Sequence, residues 1–232
     1  MKRAWSMWLW AVVAVLAPAV VRAASLDGLD AKSFEERQKA LEELVKAGKG
    51  ALPDLVKGAS DGRPFVRMYC VKALGVLADP STLEALNKVA TSDANAAIRA
   101  DAALALGALQ TDAAATALLK IAGDGADVAG DADRYVRLCA AQGLCKFRTK
   151  HTIPILISLL KHADVDIPPV PAKALANLTT FDFGTNYAKW KEWWQANKDT
   201  FVVKETVFPY NPLEREEAVK EQPEKKEPEK KE

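Results

Sequence analysis

Three arginines and three aspartates recur in step along this chain, and their types suit strong polar pairing. Arg67, Arg99 and Arg137 each follow an apolar residue (Val66, Ile98, Val136), and Asp61, Asp93 and Asp131 stand five positions before those apolar residues. A guanidinium can bridge a turn carboxylate and the free backbone groups of a helix end; the alternative is solvated charge at a helix start. Reaction chemistry has less to work with. His151 lies at a turn and His162 near a helix end, neither with a patterned partner. Asp124, Asp127, Asp131 and Asp133 invite a calcium reading, but the ordered Asp-x-Asp-x-Asp-Gly run and distal Glu of a calcium loop are missing, which favours a solvated loop. The chain has no phosphate loop, dinucleotide fingerprint or Gly-x-Ser-x-Gly elbow. The expectation is a protein that is not an enzyme, with no catalytic residues, cofactor or metal.

Cys70, Cys139 and Cys145 are an odd set, so they cannot all pair within one chain. Cys139 and Cys145 sit six apart on one expected helix, on different faces, which disfavours a bridge between them. Small buried hydrophobes are the expected role.

The elements that must carry these residues are helices. Apolar residues fall at i, i+4, i+8 and i+11: Val66, Cys70, Leu74, Leu77; Ile98, Ala102, Leu106, Leu109; Val136, Ala140, Leu144, Phe147; Val170, Ala174, Leu178, Phe181. That spacing lines one helical face. A second stripe follows each: Leu83, Leu86, Val89; Ala115, Leu118, Ile121; Ile153, Leu156, Leu159; Tyr187, Trp190, Trp193. The step from opening residue to the middle of the second stripe is always 20 residues, as from Val66 to Leu86. Between the stripes, Ser81, Asp112 and Thr149 are suited to cap the second helices. The units run about 62–92, 94–122, 132–162 and 167–198, preceded by a less regular one at about 33–58. Repeats of this length stack, because no single helix pair can bury its apolar face alone.

The repeats resemble the HEAT family, including the short HEAT-like form first noted in phycobilisome lyases. The segments that carry the resemblance are 66–89, 98–121 and 136–160. It implies an all-α fold, a right-handed α-solenoid of about five helix-turn-helix repeats over residues 30–201. It also implies that Asp61, Arg67, Asp93, Arg99, Asp131 and Arg137 form a ladder between neighbouring repeats, and that the second helices line the concave side. Pro171 replaces the arginine in the last unit, where the ladder stops. Residues 178–201 resemble the closing unit of some exported bacterial HEAT-repeat proteins, with Trp190 and Trp193 sealing the open end. Such a resemblance specifies fold and says little about activity.

The two ends differ from the middle. Lys2 and Arg3 precede a charge-free apolar run to Val21, and Val21-Arg22-Ala23 offers small residues for cleavage after Ala23. Residues 1–23 are expected to be a signal peptide and the protein to be exported: periplasmic, at the cell surface or secreted. Membrane association follows only if this segment is uncleaved. Its removal leaves 29 bases against 31 acids, a balance with no pull toward nucleic acid. Residues 202–211 are expected to pack back as an extended segment. Residues 212–232, which close on a duplicated Pro-Glu-Lys-Lys-Glu, are too polar to offset their ordering entropy and are expected to be a disordered charged tail.

The functional expectation is a non-catalytic scaffold or adaptor whose partner is another protein or peptide. Candidate partner-binding residues on the second helices are Asn87, Leu119, Ile157 and Lys191, with Leu119 and Ile157 forming an apolar strip; Trp194 is an aromatic candidate. The alternatives are a structural envelope component tethered by its tail or N-terminal segment, and a lyase-type enzyme of the kind known among HEAT-like proteins.

Overall fold

Helices begin in this chain where a short polar side chain or a proline precedes an apolar period. Ser33, Asn95, Thr111, Asp133 and Asn186 each accept a hydrogen bond from a backbone N–H of the first turn that follows. Pro64 and Pro169 open their helices, at the position where the missing N–H costs nothing. A computed structural model describes residues 26–123 and 129–203. The signal at 1–23, most of the 202–211 segment, the tail at 212–232, Asp124 and Asp127 lie outside the described residues.

The described residues form ten α-helices in five pairs: α1 (Phe34–Ala47) and α2 (Leu52–Gly58), α3 (Pro64–Leu77) and α4 (Leu83–Ser92), α5 (Ala96–Ala108) and α6 (Asp112–Ala122), α7 (Arg134–Leu144) and α8 (Thr152–Leu159), α9 (Pro169–Thr179) and α10 (Tyr187–Asn197). This is an all-α solenoid. Its core is the pair of stripes read from the sequence: Leu74, Leu86, Leu106, Leu118, Leu144 and Leu156 are all fully buried. Each such leucine contributes about 1.5–3 kcal/mol by leaving water.

The first helices α3, α5 and α7 lie closer to one another than the second helices do. Small residues permit it. A Cβ on Gly107 of α5 would stand 2.7 Å from the Gly143 Cα of α7, and one on Gly75 of α3 would stand 2.9 Å from the Ala105 Cβ. The first helices therefore make the closer seam of the stack.

The long interval before the third ladder arginine is closed off at its base. Asp131 donates its N–H to the Ile121 carbonyl at 2.8 Å, and Gly130 turns there with φ +74°. A Cβ on Gly130 would meet the Ala122 carbonyl oxygen at 2.7 Å, so this position requires glycine on both counts. Asp131 thus re-enters the stack in register.

Three expected caps fall elsewhere. Thr111, one position before Asp112, caps α6. At α4 the turn carboxylate is Asp79, which accepts from the Ser81 N–H. The Thr149 hydroxyl is buried without a partner, while its carbonyl accepts from Thr152. The fourth first-helix stripe holds only in its middle. Ala174 and Leu178 are buried, together with Ile167, Pro171 and Leu175, but Val170 is only half-buried and Phe181 is 47% exposed. Prolines at 168, 169 and 171 delay the helix start. Thr180, at φ +68°, then ends α9 and turns Phe181 away from the core.

Candidate functional site

The ladder is built at the N-terminal ends of the first helices, where free N–H groups and turn carbonyls meet. Asp61, Asp93 and Asp131 each fold their own turn first: the carboxylate accepts from the N–H two residues on, at Arg63, Asn95 and Asp133 (2.8, 2.9 and 2.8 Å). The arginines then cross between units. Arg67 donates Nε and a terminal nitrogen to Asp93 at 2.7 and 3.2 Å, and its other terminal nitrogen to the Asp61 carbonyl at 2.9 Å. Arg99 does the same to Asp131 (2.8 and 3.0 Å) and to the Asp93 carbonyl (2.8 Å). Arg137 donates to the Asp131 carbonyl at 2.8 Å and to Asp164 at 3.2 Å.

These contacts are shielded. The side chains of Arg67 and Asp93 are 17% and 4% exposed, against 56% for Arg134 at the far end. Burial pushes the Asp93 and Asp131 carboxyls up, but hydrogen bonds from Arg67 and Arg99, and from the Asn95 and Asp133 N–H groups, outweigh it, and both lie below the usual carboxylate range. Asp61 is drawn to about 2, chiefly by the Arg63 side chain.

Sequence reasoning missed six members of this network. Asp164 closes the last rung and also accepts from Arg134 Nε at 3.0 Å; Arg134 reaches Asp166 as well. Arg63 holds Asp61 (3.0 and 3.1 Å) and Asp27 (3.0 Å). Arg37 occupies in α1 the place of Arg67 in α3. A signal was present: Asp164 follows Asp131 by 33 residues, close to the 32 between Asp61 and Asp93. The irregular fourth stripe hid it.

Of the expected partner-binding residues, Ile157 is buried and the other four keep some exposure. Ile157 is only 5% exposed, packed beneath its neighbours, so the Leu119–Ile157 strip is not available to a partner. Leu119 and Asn87 are half-buried, with Leu119 against the core. Lys191 is exposed; its ammonium and that of Lys161 lie 5.9 and 5.2 Å from the Tyr187 ring centre. Trp194 is half-buried, its ring 6.3 Å from that of Trp193.

The aromatic end is a connected cluster. Trp190 is fully buried, donates its indole N–H to the Gly184 carbonyl at 2.8 Å, and meets Phe183 and Trp193 edge-on at 4.8 and 5.9 Å. Phe181 and Phe201 pack on Trp193 at 5.4 and 5.2 Å. Reactive groups are muted. Burial pushes the Cys70 and Cys145 thiols up to about 12 and raises that of Cys139, and all three are free. His162 accepts the Asp164 N–H at Nδ1. Of the acidic loop, Asp131 and Asp133 serve the ladder and a helix cap. No helix among the described residues is long and apolar enough to cross a membrane.

A sequence family described as HEAT repeats matches residues 22–107 and 52–129. No curated protein matches the chain. Among solved structures, the complex of CpcE and CpcF of phycocyanin lyase from Nostoc sp. PCC7120 is similar over 76% of this chain and 98% of that one, at 21% identity and a TM-score of 0.46. With its paired helices, shared core and matched segments, this chain carries HEAT repeats over residues 22–129.

Proposed function

We propose that this protein is a non-catalytic scaffold or adaptor that binds another protein outside the cytoplasm. The observation that carries the reading is the shielded ladder. Arginines that each tie two repeats together hold the stack as one body, and a repeat stack of this kind offers an extended surface rather than a reaction centre. Export rests on the basic start, apolar run and Val21-Arg22-Ala23 of the sequence.

The test is affinity recovery of partners from the native envelope fraction, with the full chain as bait. A stoichiometric protein partner that survives a wash in moderate salt supports the reading, and recovery of none overturns it. Deletion of residues 212–232 separates it from a tethered envelope component: a scaffold keeps its partner, and a tethered component changes its cell-fraction partitioning instead.

A further inference from the structure

Four arginines hold the same place in the first helix of their unit. Arg37, Arg67, Arg99 and Arg137 are each the fourth residue of α1, α3, α5 and α7. Each donates a terminal nitrogen to the carbonyl six residues back, at Ala31, Asp61, Asp93 and Asp131. There the likeness ends. Arg67, Arg99 and Arg137 also hold the carboxylate of the following unit, whereas the Arg37 Nε is buried with no hydrogen-bond partner.

The reason lies in one substitution of the pattern. The carboxylate that the repeat assigns to Arg37 is Asp61. Arg63 takes it, donating from its backbone and from two guanidinium nitrogens. In the next two units the equivalent residues are Asn95 and Asp133, which cap their helices instead and leave Asp93 and Asp131 to the ladder. The first rung is therefore unfilled. The Arg37 guanidinium lies over the rings of Phe65 and Tyr69, 4.6 and 5.9 Å from their centres. Phe65 is 47% exposed, and Phe34, one turn before Arg37 on α1, is 61% exposed.

We propose that Arg37, flanked by Phe34 and Phe65, is a docking site for an aspartate or glutamate side chain of a partner protein, whose carboxylate completes the rung. The chemistry is that of the other three rungs: a planar guanidinium edge matches a carboxylate at two points. A buried donor without a partner gains more from such a contact than a solvated one. Because Nε has no exposed surface, entry of the carboxylate takes a local side-chain movement, and the two exposed rings then cover apolar residues beside the acid. This site rests on the scaffold reading and names the chemistry of the partner.

The probe is a hexapeptide of alternating leucine and glutamate, with its glutamine counterpart as control, titrated into the 15N-labelled full chain while the arginine Nε–H resonances are followed. The glutamate peptide is expected to shift the Arg37 resonance to saturation, and the glutamine peptide to bind at least about tenfold more weakly, the scale set by one charge-assisted contact. Arg37→Gln is expected to lose the same factor. Arg63→Ala frees Asp61 to turn onto Arg37 and compete, which also weakens the glutamate peptide. Equal affinity for both peptides, or unchanged affinity in Arg37→Gln, overturns the site. Where Arg37→Gln does not fold, unchanged affinity in Arg63→Ala overturns it. An envelope partner recovered equally by wild type and Arg37→Gln sinks this site and leaves the scaffold standing; peptide binding with no envelope partner does the reverse.

Discussion

Arg99 and Asp131, 32 residues apart in sequence, meet at two points, with Arg99 Nε and a terminal nitrogen 2.8 and 3.0 Å from the two carboxylate oxygens. Because the same guanidinium also holds the Asp93 carbonyl, one side chain fixes the turn before its helix and the turn after it. Arg99→Ala is expected to destabilise the protein by about 2–3 kcal/mol, since it strands a shielded carboxylate as well as losing its own bonds. Lys49→Ala removes a contact to Asp79 from a side chain that is 87% exposed, and should cost less than about 0.5 kcal/mol. Urea unfolding midpoints measure both. Equal effects would show that the ladder is no more than surface charge.

Acid should loosen the stack in a defined direction. Burial works against the charged forms of Asp93 and Asp131, yet Arg67 and Arg99 win and both carboxyls titrate below their usual range. A carboxyl depressed in the folded state contributes stability above its unfolded pKa, and that contribution is lost as pH falls through the folded value. Stability should be level above about pH 5 and decline below about pH 4, the unfolded aspartate value. In Asp93→Asn with Asp131→Asn the starting stability is lower and the acid slope shallower. An unchanged slope would mean that other carboxyls govern acid unfolding.

The helix crossing at Gly107 leaves no room for a methyl group, with the Gly143 Cα 2.7 Å from where its Cβ would stand. Gly107→Ala should destabilise by about 1–3 kcal/mol despite alanine's better helix propensity, because α5 and α7 must separate. Gly50→Ala, with nothing within 4 Å, serves as the comparison. Thermal denaturation in which Gly107→Ala melts no lower than wild type would show that the two helices do not approach so closely.

Thiol chemistry gives an independent check on packing. With Cys70 and Cys145 pushed to about 12 by burial and Cys139 raised, thiolate is scarce at pH 8. A chromogenic disulfide reagent should leave all three cysteines unmodified in the native protein and react with all three in denaturant. Rapid native labelling of Cys145, which is half-buried, would place it in a looser setting.

The fold was open to reading because its signal is repeated. Leu86, Leu118 and Leu156 each recur 20 residues after the opening residue of their unit, and periodicity of that kind tolerates an error at any one position. The ladder residues stood out for the same reason. What stayed hidden was whatever broke the period. Phe181 fitted the apolar spacing, yet α9 ends at Thr179 and Phe181 follows the Thr180 turn, half-exposed against Trp193. Ile157 lay one helical step past a core position, but its burial depends on which helices pack over it, which no local pattern records. Arg37 gave no signal as an unfilled donor, because its state depends on Arg63, a single residue outside the recurring set.

The hydrogen bond from Asp131 to Ile121 has a consequence for how such a chain can change. The bond ties residue 131 back to the end of α6, ten positions earlier in the chain. A graft of different length spliced between Gly123 and Gly130 would leave the spacing of helices, core and arginines untouched, so this joint is where new sequence can be tried without asking the rest of the molecule to adapt.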